Sequence, residues 1–187
     1  MKRGFKSEAE RVASETRAEL GLGQRDRLDP FRVASHLAIP VVPMANLSAN
    51  GSTSFVRYFS LVDSDSFSAV TVIIGRRRII VHNENHHPNR QASNIAHEVS
   101  HTLLEHRATA IVAGDGQRFW NAEMEEEANW LGAALLVPRD GALRMAQLGR
   151  TVDEIAAHYG VSEQLCRWRI TQTGILRQVE RAHRWSR

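Results

Sequence analysis

Only one of the 187 residues is a cysteine, Cys166, so the chain can form no internal disulfide and offers no CxxC pair to a metal. That usage fits a reducing cytoplasm, and it leaves any metal to be held by the nine histidines and the carboxylates. Long hydrophobic runs are lacking too. No stretch reaches the roughly 18 to 20 apolar residues of a membrane span, and Met1 to Glu8 is charged where a signal peptide needs an apolar segment. The expectation is a soluble, cytoplasmic protein without a membrane partner. Lysine is scarce as well: 22 of the 24 basic residues are arginine, a bias that codon composition explains as readily as nucleic-acid binding. Internal repeats and low-complexity tracts are absent, and 42% hydrophobic with 24% charged residues excludes a disordered or fibrous chain.

The net charge of +3 conceals a division into thirds. Met1 to Asn83 holds 12 basic and 8 acidic residues, Glu84 to Pro138 holds 3 and 8, and Arg139 to Arg187 holds 9 and 5, giving +4, −5 and +4. Val12, Ala13, Thr16 and Leu20 predict an amphipathic helix over 7–20, closed by Gly21 and Gly23. Asp29 and Pro30 cap a second short helix that stops before Pro40. Strands are expected at 41–44, 55–61, 69–74 and 79–82, with a turn at Gly75 to Arg77, which together predict a small, mostly antiparallel sheet. Two long helices follow, at 90–106 and 120–137, the second ended by Pro138. Two short helical patterns then flank Gly160 ahead of an arginine-rich tail. The fold class is α+β.

Residues 97–101 spell HExxH, a pattern that composition alone would produce about 0.03 times in such a chain. On a helix, His97 and His101 lie on one face and can converge on one metal, while Glu98 stands beside the remaining position and can take a proton from water there. Ile95, Val99 and Leu103 supply the apolar stripe of a packed helix. A third ligand is needed, and the version with a histidine ten positions after the first fails at Arg107. His106 lies about 140° around the axis from His101 and cannot serve without a break in the helix. The acidic cluster Glu123, Glu125, Glu126 and Glu127 is the remaining source. Around a buried face centred near Ala128, Glu125 falls about 60° away, Glu127 about 100°, Glu123 about 140° and Glu126 about 160°. Glu125 therefore points inward, with Asn129 one turn on to hydrogen-bond a ligating histidine and with Ala128 and Gly132 permitting close helix approach. Two imidazoles and a carboxylate suit Zn²⁺, with Mn²⁺ as the alternative.

HEVSH followed by EEEANWLGAALLVP resembles the ImmA/IrrE family of metallopeptidases, and the preceding order of helix, Asp29-Pro30, helix and strand resembles it too. The resemblance implies a zincin-like core over 7–140, with His97, His101 and Glu125 as zinc ligands and Glu98 as the catalytic base. It also implies Glu127 as the alternative ligand, because a glutamate before Ala-Asn is common in the family. Trp130 and Leu131 replace the commoner Phe-Ala pair, a departure that bears on packing. A further implication is the substrate: a bacterial or phage-type repressor with its own helix-turn-helix, cut at a peptide bond.

Residues 151–174 have the pattern of a helix-turn-helix, and the division predicted is a helical extension over 150–187 packed on the core. Its second helix would expose Glu163, Gln164, Arg167 and Trp168, of which one is cationic, so phosphate neutralisation is weak and packing or partner docking is expected ahead of DNA binding. Cys166 reads as a small core residue. His82, His86 and His87 precede the active helix and read as a solvated loop, with an oxyanion donor among them the alternative. The competing function is a DNA-binding or protein-docking regulator with a structural or vestigial metal site, for which Glu98 would have no use.

Overall fold

The computed structural model describes residues 1–50, 67–74, 77–106 and 121–185. The strand expected at 55–61 and the turn at Gly75 and Arg76 lie outside these residues. Helix α1 (Phe5–Glu19) buries Phe5, Ala9, Ala13 and Thr16 on one face, and Gly21 follows it in the left-handed region at φ 71°. Asp29 caps α2 (Pro30–His36) by accepting from the Phe31 amide, and Pro30 supplies the preset first φ.

Among the described residues three strands form the sheet, β1 (Val41–Pro43), β2 (Ala69–Ile74) and β3 (Arg77–His82), in the order β1-β3-β2. The β2–β3 pair is antiparallel but β1 runs parallel to β3, so the sheet is mixed where the sequence predicted a mostly antiparallel one. Parallel pairing needs a crossover of a dozen or more residues, and the chain between Pro43 and Arg77 is long enough to supply it. Side-chain alternation sorts the faces. Val70, Val72 and Val81 join Met44, Leu47 and Phe67 in a small cluster, whereas Ile80 belongs to the main core and Thr71 sits opposite it in register.

The main core lies between α1, α3 (Pro88–Leu103) and α4 (Ala122–Leu136). His87 caps α3 through its Nδ1, and the Asn121 side chain caps α4 by accepting from Glu123 and Met124. Then come α5 (Arg139–Gln147), α6 (Val152–Tyr159), α7 (Glu163–Gln172) and α8 (Ile175–Trp185). A capping box, Thr151 with Glu154, opens α6. Gly160 closes it at φ 66°, where an added Cβ would also run into the Arg27 guanidinium. Ser162 caps α7, completing the expected pair of helices about Gly160. Helices α5 and α8 have no counterpart in the sequence reading, because Gly141 and the run of arginines obscure their periodicity. Ile155, Tyr159, Cys166 and Ile170 share one hydrophobic cluster with Ile95, Leu131 and Leu135, so the C-terminal helices complete the same core. Cys166 is fully buried, and burial pushes its thiol up to about 11.

Two buried arginines close this core. The last carbonyls of a helix have no intrahelical partners, and at the end of α4 they are met by guanidinium groups from distant segments. Arg17 donates to the Leu135 carbonyl at 2.7 Å and also to the carbonyls of Gly23 and Asp26, while Arg169 donates through Nε to the Val137 carbonyl at 3.1 Å and pairs with Glu10 at 2.5 Å. Both are 0% exposed, where an unpaired cation would be prohibitive. Substituting Arg169→Met should therefore lower stability by about 2–4 kcal/mol, since it strands the Val137 carbonyl and the partly buried Glu10. Urea unfolding checks this, and a midpoint equal to the parent's would show that the pair contributes nothing.

Candidate metal centre

Helix α3 places His97 and His101 one turn apart, with their Nε2 atoms 3.1 Å from each other. Helix α4 brings Glu125 to both: one carboxylate oxygen lies 3.2 Å from His97 Nε2 and the other 3.8 Å from His101 Nε2. The three side chains thus aim one donor atom each at a common point. Their approach depends on Gly132, where a Cβ would stand 3.2 Å from Ala96 C and O and from the His97 amide nitrogen. A larger residue there would force the two helices apart.

The donor set fits a divalent cation. Tetrahedral coordination with bonds of about 2.1 Å spaces donors about 3.4 Å apart, a value bracketed by the observed separations. The local field agrees with the distances. Burial, the largest single influence, opposes charge on His97, but its hydrogen bond to Glu125 and the negative charges of Glu98 and Glu125 outweigh it and hold the imidazole above its ordinary pKa. A field that draws a proton to His97 also draws a metal cation. Asn129 Oδ1 lies 2.9 Å from His97 Nδ1, where it accepts the proton that must sit there when Nε2 faces a metal.

Glu98 is 6% exposed, and the Thr71 hydroxyl on β2 donates to its Oε2 at 2.6 Å. The sequence reading did not single out Thr71, because a lone threonine in a strand carries no signal until α3 packs on that face of the sheet. The other acidic residues go elsewhere. Glu123 and Glu126 are exposed, with carboxylates 3.1 and 3.3 Å from the Met1 amino group. Glu127 is buried and turned away from His97 and His101, with one oxygen 3.3 Å from the Lys2 amide and the other 3.4 Å from His106 Nε2. His106 reaches that position because the helix ends at Leu103 and Glu105 takes a left-handed φ of 53°. The imidazole comes back against the outer side of His101, Nδ1 to Nδ1 at 2.9 Å. Burial lowers the His106 pKa despite the adjacent Glu127, so this imidazole is neutral at neutral pH.

Of the three histidines before α3, His82 and His86 differ from the solvated loop expected of them, while His87 is exposed as expected. His82 is buried edge-on to Phe31 and burial lowers its pKa, His86 is buried with Asn83 against one ring nitrogen, and His87 is the cap of α3. A groove of about 1290 Å³ opens beside the centre, walled by Arg90, Glu125, Asn129, Trp130, Leu165 and Trp168. Trp130 is packed between the Lys6 ammonium, 4.1 Å above its ring, and the edge of Trp168. The face of α7 bearing Gln164 and Trp168 lines this groove.

The family model of the IrrE N-terminal-like domain, a peptidase family, matches residues 47–171. The match takes in α3, α4 and the C-terminal helices as far as Thr171. A search of the curated proteins finds no match.

Exchanging Glu125→Gln should weaken Zn²⁺ binding at least tenfold, whereas Glu126→Gln, on the exposed side of α4, should bind as the parent does. Titration against a chromophoric chelator measures both. Equal losses in the two variants would place the third donor elsewhere.

Proposed function

The chain belongs to the IrrE N-terminal-like family of metallopeptidases, and on that footing we propose that it is a zinc-dependent endopeptidase cutting a peptide bond in a regulatory protein. The convergence of His97, His101 and Glu125 on one point, with the buried Glu98 beside the first histidine, carries this reading. When bound, the cation supplies Lewis acidity toward the scissile carbonyl and toward water. Glu98 accepts the proton of the attacking water and returns it to the leaving amine, and the Thr71 hydroxyl holds the carboxylate oriented for that transfer. Asn129 keeps the His97 proton on Nδ1.

The groove and the family resemblance together support the substrate class. A volume of about 1290 Å³ exceeds the usual 300–1,000 Å³ of small-molecule sites and suits several residues of extended polypeptide. Trp168, 39% exposed, offers its wall to a bulky apolar side chain. The resemblance supplies the identity proposed, a bacterial or phage-type helix-turn-helix repressor acted on in the cytoplasm. Among the described residues no helix is long and apolar enough to cross a membrane. The competing reading, a DNA-binding regulator with a structural metal, is disfavoured by α7: the helix that would enter a major groove instead presents Gln164 and Trp168 to the groove that Glu125 and Asn129 also line.

Two variants test this reading against a co-expressed repressor-like protein. Glu98→Gln should retain fold and zinc yet lose cleavage by several orders of magnitude, measured as product formation per zinc-loaded protein. If that variant still cleaves, or still produces the full regulatory response in cells, peptidase chemistry at Glu98 is excluded. Trp168→Ala should keep zinc and raise KM about tenfold with little change in kcat, because it removes ground-state contact and no reacting group. An unchanged KM would remove α7 from the substrate site.

A further inference from the structure

We propose that His106 and Glu127 form a hydrogen-bonded relay that sets the tautomer of His101, which makes His106 a positioning residue for the metal and Glu127 its anchor instead of a ligand. The inference rests on the reading that His97, His101 and Glu125 hold a divalent cation.

The argument follows the protons. His101 turns Nε2 toward His97 and Glu125, so to present a lone pair there it must carry its proton on Nδ1. That proton has an acceptor at 2.9 Å, Nδ1 of His106. Two ring nitrogens at this distance share one proton, so His106 accepts at Nδ1 and carries its own proton on Nε2. The Nε2 atom faces Glu127 Oε2 at 3.4 Å, and the other Glu127 oxygen accepts from the Lys2 amide. Each link thus fixes the direction of the next, from a buried carboxylate to the face that His101 offers the metal.

Three further observations agree. His106 and Glu127 are 9% and 5% exposed, and a buried carboxylate is retained only where donors satisfy it. The backbone at Glu105 occupies the left-handed region, which a non-glycine residue keeps only where the surroundings over-determine it. Finally, the two ligand histidines are held differently: His97 by the neutral amide of exposed Asn129, His101 by an imidazole backed by a carboxylate. A carboxylate behind the second link supports His101 as a donor, and losing such outer support weakens metal binding about 10- to 100-fold.

The test is Zn²⁺ affinity by competition with a chromophoric chelator, with circular dichroism of each metal-free protein as the check on fold. His106→Phe keeps the ring and removes the acceptor, and should weaken Zn²⁺ about 10- to 100-fold. His106→Asn returns an acceptor oxygen near the Nδ1 position and should bind Zn²⁺ several-fold more tightly than His106→Phe. Glu127→Gln keeps an acceptor for His106 but loses the charge, and should lie between the parent and His106→Phe. Parent-like affinity in His106→Phe, or an Asn variant no better than Phe, overturns the relay. If His106→Phe does not fold, the comparison passes to His106→Asn and Glu127→Gln, and parent-like affinity in both overturns it equally. A parent that binds Zn²⁺ but cleaves nothing removes the peptidase reading while these affinities still decide the relay; a parent that takes up no Zn²⁺ overturns both.

Discussion

The backbone contact between α3 and α4 at Gly132 is the constraint on which the rest depends. With no side chain at that position, α4 lies against Ala96 and the amide of His97, so two helices that bury Ile95, Val99, Leu131 and Leu135 against the common core meet at close range. Glu125 is seven residues, two turns, before Gly132, and His97 is at the contact itself. The separation of 3.2 Å between their functional atoms is therefore a consequence of helix packing, and it does not rely on a loop.

Charge explains why α4 stays in place. Glu123 and Glu125 sit in its first turn, where the helix dipole favours anions, and Arg17 and Arg169 meet carbonyls at its end, where the dipole favours cations. The alternation of +4, −5 and +4 along the chain thus has a spatial meaning. Basic residues from both outer segments converge on the end of a helix from the acidic segment, and one of them, Arg169, comes from the C-terminal helices. Asn89 strengthens that attachment by donating to the Val161 carbonyl at the turn between α6 and α7. The pair of helices α6 and α7 is bound into the core by polar contacts as well as apolar ones.

How much of this was legible in the sequence depended on whether a signal was local or tertiary. His97, Glu98 and His101 are legible because the chemistry needs fixed spacing on one helix. Glu125 could be singled out among four carboxylates because its angle to the buried face is a property of α4 alone, and the cap at Asp29 is legible for the same local reason. Thr71 and the two arginines carry no local pattern and acquire their partners only when distant elements pack. His106 is instructive in a different way. Helical geometry excludes it from the His97 and His101 face while the helix continues, but Glu105 reverses the backbone, and no rule of spacing anticipates a left-handed glutamate. The parallel placement of β1 was hidden for a similar reason, since alternation reports which face a residue occupies and not the direction of its neighbour.

The burial of Cys166 gives the molecule a built-in reporter. It is the single thiol of the chain, packed among Ile155, Tyr159 and Ile170, and held protonated by its surroundings. In the closed fold it is neither accessible nor nucleophilic, so a thiol reagent can react only through excursions that separate α7 from the rest. Its labelling rate, divided by that of the unfolded chain, would then measure the equilibrium for such opening without any added probe. Because α7 also walls the groove, the same rate taken with a polypeptide seated there would show how tightly occupancy of the groove is coupled to closure of the C-terminal helices.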